Sequence, residues 1–107
     1  MISINEFENI ELIVGKILEV DDIPTKKPIY KLKVDLGEYG IKNIAAGIKN
    51  SYSKEELIHK NIVVVANLNP KKIMDFISEG MLLATENDGN VILITTDRAA
   101  KPGSKVG

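Results

Sequence analysis

Lys71 and Lys72 stand side by side just after Asn67-Leu-Asn-Pro70, and this pair is the most pointed chemistry in the chain. Pro70 has a fixed φ and no backbone N–H, so two ammonium groups leave the apolar run Val63 to Ala66 on a stiffened turn. Lysine is a compact, strongly hydrated charge, better suited to phosphate than to the edge of a base. Adjacent cations at the exit of a strand therefore suit a polyanion. Asn67 and Ser78 add donors for phosphate or ribose, with turn capping as the competing role for each. Gly47 and Gly80 are places where backbone can approach a ligand closely. Met81 is positioned to touch a base at the edge of the patch, against the ordinary role of a methionine entering an apolar strand.

The chain is poorly equipped for catalysis. Asp75 and Glu79 lie near the two lysines, but a carboxylate and a lysine on one loop most often make a solvated ion pair worth ~0–1 kcal/mol. There is no cysteine and only one histidine, His59, which excludes thiolate metal sites, Cys nucleophiles and a His cluster. No catalytic residue, cofactor or metal is assigned. The aromatics are Phe7, Tyr30, Tyr39, Tyr52 and Phe76. That is few for stacking successive bases of a single strand, which favours reading a folded RNA by shape and backbone. Phe76 is the aromatic best placed to meet a ligand, unless it plugs the mouth of a barrel.

Net charge is -1 over 107 residues, but its sign changes along the chain. Residues 1–22 carry -5, residues 23–74 carry +6 with ten lysines, and the remainder carries -2. The basic middle either serves a polyanion or simply solvates an ordinary surface. With 44% hydrophobic residues the length suits one domain, 1–107, around one core. No run reaches the ~18 apolar residues of a membrane span, and no signal-peptide pattern opens the chain, so a soluble, cytoplasmic protein is expected.

The elements that must position these residues are mostly strands. Residues 10–20 read as a long β-branched strand with a bulge or bend at Gly15. In residues 29–37, Tyr30, Leu32, Val34 and Leu36 alternate with Lys31, Lys33 and Asp35, giving one core face and one wet, mostly basic face. Residues 41–46 form a third strand. Ser53-Lys-Glu-Glu56 has capping-box spacing and opens a short helix ending near Lys60. Residues 61–67 and 80–85 are two further strands, and Asn87-Asp-Gly-Asn90 turns into an extra one at 91–96. The order predicts an all-β protein, an OB-fold: a five-stranded Greek-key barrel with a short helix before the fourth strand and an added C-terminal strand. The basic face of the second strand and the loop 69–78 then meet at one end of the barrel. Residues 1–9 and 101–107 are peripheral and available to pair with another subunit.

Val14-Gly-Lys-Ile17, Leu32-Lys-Val-Asp-Leu-Gly37, Ala46-Gly47, Tyr52-Ser-Lys-Glu-Glu-Leu57, Asn67-Leu-Asn-Pro-Lys-Lys-Ile-Met74, Ser78-Glu-Gly-Met-Leu-Leu-Ala84 and Pro102-Gly103 occur in order along nearly the whole chain. Together they resemble the tRNA-binding domain of bacterial methionyl-tRNA synthetase C-termini, EMAP II-like proteins and free-standing relatives. The resemblance implies an OB-fold that binds folded tRNA by shape, without catalysis, as a homodimer joined through its terminal segments. It implies RNA-facing roles for Lys31, Lys33, Asn67, Lys71, Lys72, Ser78 and Met81. The free-standing branch holds a β subunit that equips a synthetase catalytic subunit with tRNA affinity, and the CsaA-like export chaperones that bind unfolded precursors. Ser78-Glu-Gly-Met81 resembles the first kind; Pro28 and Phe76 resemble the second. Asp75 stands where the family usually has glycine, and Lys26-Lys-Pro28 where it usually has Ala-Asp-Lys.

Overall fold

The structure is a computed structural model that describes every residue from Met1 to Gly107. Its first strand, β1 (Leu12–Asp22), is long enough to serve two partners. From Leu12 to Lys16 it pairs with β4 (Asn61–Val65), and from Lys16 to Asp22 with β2 (Tyr30–Asp35). The strand runs unbroken through Gly15; the irregularity lies between Ile17 and Glu19, where the register with β2 shifts. Gly15 answers a different need. A Cβ there would stand 2.6 Å from a Val34 methyl and 2.8 Å from a Leu36 methyl, so side chains of β2 and of the residue just after it pack directly onto its backbone.

β2 alternates as expected, with Tyr30, Leu32 and Val34 buried, and it pairs in full with β3 (Ile41–Ala46) after a 3₁₀ turn at Gly37–Tyr39. Gly37, at φ 64, carries that turn, and any Cβ on it would strike the Pro102 carbonyl. The capping box at Ser53 is present, but the helix α2 (Lys54–Leu57) is a single turn. It stops short of Lys60 because His59 adopts φ 69 and gives its N–H to the Ile17 carbonyl at 2.8 Å, ending the helical ladder. Leu57 is fully buried from this turn.

After β4 comes the largest departure from the sequence expectation. Residues 69–78 are a β-hairpin rather than a loop: β5 (Lys71–Ile73) and β6 (Phe76–Ser78), joined by Met74 and Asp75. The expected strand 80–85 is split. β7 (Met81–Leu82) pairs with β4, while β8 (Ala84–Asn87) turns through Asp88 and Gly89, both at positive φ, into β9 (Asn90–Leu93). That two-residue turn is the one the Asn-Asp-Gly-Asn signal predicts.

The main sheet runs β3-β2-β1-β4-β7. Closure between β7 and β3 rests on a few bonds: the Glu79 N–H donates to the Asn43 carbonyl at 2.8 Å, and its carboxylate accepts the Asn43 N–H at 3.0 Å. The result is an all-β, nearly closed OB-type barrel. Fifteen buried residues, among them Ile13, Ile17, Leu32, Val34, Ile44, Ile62 and Val64, form one core cluster inside it. The termini are less peripheral than expected. Ser3 and Glu6 cap a one-turn helix α1 (Ile4–Phe7), and β10 (Lys105–Val106) pairs with the start of β1.

Candidate nucleic-acid interface

The OB architecture places its ligand on the face of strands 2 and 3, between the loop joining strands 1 and 2 and the loop before the fifth. In this chain those two connections are residues 23–29 and the β5–β6 hairpin, and both are basic. The pairing registers place the lysines in a traceable row. Lys31 of β2 stands opposite Ala45 of β3; the Ala45 N–H donates to Ser78 Oγ at 3.0 Å; Ser78 pairs with Lys71 across the hairpin. Lys31 also lies over the ring of Phe76, 5.2 Å from its centroid. Phe76 is 8% exposed, pairs with Ile73 and lies outside the barrel's core cluster, so it packs the hairpin against the outer face of β2 under Lys31 rather than plugging the barrel mouth, and offers little surface to a ligand.

Two grooves flank the hairpin. One is lined by Ala45, Leu68, Asn69, Lys71, Ser78 and Met81. The other is lined by Ile23, Thr25, Lys27 and Ile29 against Lys71, Lys72 and Met74. Lys71 and Ile73 are common to both, so β5 is the ridge between them. Met81 is 49% exposed, on the groove rather than in the core. Lys27, absent from the residues picked by sequence, joins the patch here. Its signal was the Lys26-Lys27 pair framed by Pro24 and Pro28, which the fold turns toward the hairpin.

Electrostatically the basic middle sorts into two sets. Lys49 and Lys54 are spent on Asp22, at 2.9 and 2.7 Å, and Lys33 is paired with Glu19 at 3.2 Å. The Lys54 ammonium, followed by that of Lys49, holds the Asp22 carboxyl below its ordinary pKa, and Asp22 raises that of Lys54 in turn. The other seven lysines of the basic middle have no carboxylate within ion-pair distance, and of these Lys27, Lys31, Lys71 and Lys72 lie around the hairpin. Their charge is available to an incoming anion.

The structure gathers Lys31, Lys71, Lys72, Ser78 and Met81 at one face. Lys33 lies one step along β2, opposite Asn43. Ser78 is 8% exposed, and its hydroxyl also donates to the Gly80 carbonyl at 3.3 Å, so its bonds fasten the hairpin to β3. Asn67 lines neither groove. Its Oδ1 accepts the Glu11 N–H at 3.0 Å and its Nδ2 donates to the Asn9 carbonyl at 2.7 Å, binding the end of β4 to the N-terminal segment. Glu79 is committed to Asn43, which leaves Asp75, exposed at the hairpin tip, as the free acid of this region.

The same layout recurs in known proteins. Residues 12–105 match the family described as "Putative tRNA binding domain". The chain is 47% identical over 106 residues to the methionine--tRNA ligase of Methanococcus vannielii, aligning 99% of this chain with 16% of that protein. It thus spans about a sixth of that relative's length. Among solved structures, the CsaA chaperone protein from Picrophilus torridus superposes with a TM-score of 0.93 at 44% identity, covering 100% of both chains. The methionyl-tRNA-synthetase-related protein from Pyrococcus horikoshii gives 0.91 at 32%, covering 100% of this chain and 98% of that one. A matched span running from β1 to β10 makes this chain a member of the tRNA-binding domain family related to methionyl-tRNA synthetases.

Proposed function

We propose that the chain is a non-catalytic subunit or domain that holds folded tRNA through its backbone, on the face built by residues 23–29, β2 and the β5–β6 hairpin. The observation that carries this reading is the row from Lys31 to Lys71, joined by Lys27 and Lys72, with no acid pairing any of the four. None of the five aromatic residues is exposed, so the face supplies phosphate contacts without stacking platforms, as suits recognition of a folded RNA by shape. Within this reading Lys31, Lys71 and Lys72 meet phosphates, Lys33 and Met81 edge the contact, and Ser78 and Asn67 hold its elements in place.

The protein works in the cytoplasm, raising the local concentration of tRNA at a methionyl-tRNA synthetase catalytic subunit through linked weak contacts. It does so as a homodimer. An apolar groove between α1 and β10, lined by Ile4, Phe7, Ile10, Leu12 and Val106, supports a subunit contact at the termini. The test is the salt dependence of tRNA affinity. Changing both Lys71 and Lys72 to Ala is expected to flatten the slope of log K against log salt by about 1.4 to 1.8 units. An unchanged slope would remove these lysines from the site.

A second reading, a chaperone that holds unfolded precursor proteins, is favoured by the full-length likeness to the CsaA chaperone protein and by exposed Leu68 and Met81 in one groove. A pull-down from the protein's own cell extract separates the two. Recovery of tRNA with a synthetase subunit supports the first; recovery of precursors without tRNA ends it.

A further inference from the structure

A second polar groove lies at the other end of β4, away from the hairpin, between Lys16, His59, Asn61 and the segment 95–102. Its most unusual feature is backbone. The Ile94 N–H donates to Leu83 and the Gly103 N–H to Val14, but no N–H from Thr95 to Lys101 has an acceptor within the protein. Seven successive amides are therefore open to an acceptor from outside, and six of their residues, 95–100, line the groove.

The segment is nevertheless held in place. Thr95 Oγ1 donates to the Asn61 carbonyl at 2.7 Å, and Asn61 Nδ2 donates to Thr96 Oγ1 at 3.2 Å and to the Ala100 carbonyl at 3.4 Å. Donors fixed before a ligand arrives lose little freedom on binding it.

Cations complete the wall. Lys16 is half-buried and has no ion-pair partner; its cross-strand neighbour Asp35 accepts the Gly37 N–H at 2.8 Å instead. Arg98 is held by the adjacent Asp97 through two hydrogen bonds, at 3.2 and 3.0 Å; with both side chains more than four-fifths exposed the pair is worth little, so an anion can take Arg98 by displacing Asp97. His59 is set at this wall by its N–H bond to Ile17. The groove holds about 390 Å³, room for a phosphate group with several waters of about 30 Å³ each. It is lined by none of the residues of the hairpin face.

We propose that this groove is a second, separate phosphate-binding site, in which Lys16, Arg98 and the free amides of residues 95–100 bind the oxygens of a phosphate group. The group comes either from the backbone of a bound RNA or from a free phosphate.

The experiment is an amide NMR titration of the whole protein with inorganic phosphate at constant ionic strength, with chloride as control. It is run on the wild type, on Lys16→Gln, on Arg98→Gln, and on the double variant Lys71→Ala/Lys72→Ala. Saturable shifts at residues 95–100, retained in the double variant and weakened about tenfold or more in Lys16→Gln or Arg98→Gln, are expected. Equal shifts with chloride, no saturation, or unchanged affinity in both single variants would overturn the site. The two sources separate in a tRNA titration of Lys16→Gln. A salt slope lowered by about 0.7 to 0.9 units identifies an RNA phosphate, whereas an unchanged slope beside saturable phosphate binding by the wild type identifies a free one. Loss of the hairpin site leaves this result standing, and the converse holds equally.

Discussion

At the scale of single residues, the ligand face is decided by which charges are already spent. Lys33, Lys49 and Lys54 look equivalent to Lys31 and Lys71 in the sequence, yet each has a carboxylate within 3.2 Å. Asp75 is the converse, an acid beside free lysines at the tip of the hairpin. Replacing it with Asn removes one repulsive charge from the face and is expected to tighten tRNA binding severalfold, by about 0.5–1 kcal/mol for an exposed charge. Fluorescence anisotropy at low salt measures this, and unchanged affinity would place Asp75 away from the bound RNA. Gly15 serves the core. Gly15→Ala drives a methyl into Val34 and Leu36 and is expected to cost about 1–3 kcal/mol in urea unfolding.

At the scale of elements, the β5–β6 hairpin is the part that must be held still. Its strands are three residues each, too short to stand alone. Ser78 Oγ, the Glu79 backbone and the Glu79 carboxylate tie it to β3. Ser78→Ala leaves the Ala45 N–H without its acceptor, at a cost of about 1–3 kcal/mol, and removes no charge. The expected result is faster hydrogen exchange at Ala45 and weaker tRNA binding with an unaltered salt slope, the mark of a positioning residue. A lowered slope would show that Ser78 meets phosphate itself.

At the scale of the whole molecule, three exposed carboxylates set the response of stability to acid, one by joining separate parts of the chain and two by closing local caps. Asp22 bridges the end of β1 to Lys54 in α2 and to Lys49, while Glu6 and Glu56 close the capping boxes of α1 and α2 through Ser3 and Ser53. All three have pKa values below the ordinary carboxylate value, held down by the Lys54 ammonium for Asp22 and by backbone N–H bonds for the two glutamates. A depressed folded pKa means that the folded state binds fewer protons than the unfolded one. The stabilisation is therefore complete above about pH 5 and falls away as the pH drops through the folded values. The urea midpoint is expected to decline modestly on acidification below about pH 5, and less so in Asp22→Asn. Lys54 works in the opposite sense: its raised pKa keeps its share until the pH climbs past the ordinary lysine range.

The strand periods of β2, β4 and the Asp88-Gly89 turn were legible in the sequence because each is a local pattern: alternation, an apolar run, and two residues that tolerate positive φ. The Ser53 capping box was legible for the same reason, and so was the pairing of Lys71 with Lys72. What the sequence could not show depends on contacts between distant segments. It placed the irregularity of β1 at Gly15, whereas the pairing of β1 with two different strands puts it beyond Ile17. It left residues 69–78 as a loop, because three-residue strands carry no period to read. Asn67 belongs to the anchor at Asn9 and Glu11, Phe76 to the packing of the hairpin under Lys31, and Lys27 to the groove beside Lys71 and Lys72, through bonds and packing that span tens of residues. Composition and local pattern determined by themselves an all-β barrel with a basic middle. Which of its lysines remain free for an anion was decided only by the tertiary structure, because an ammonium group is neutralised by whatever carboxylate the fold carries to it.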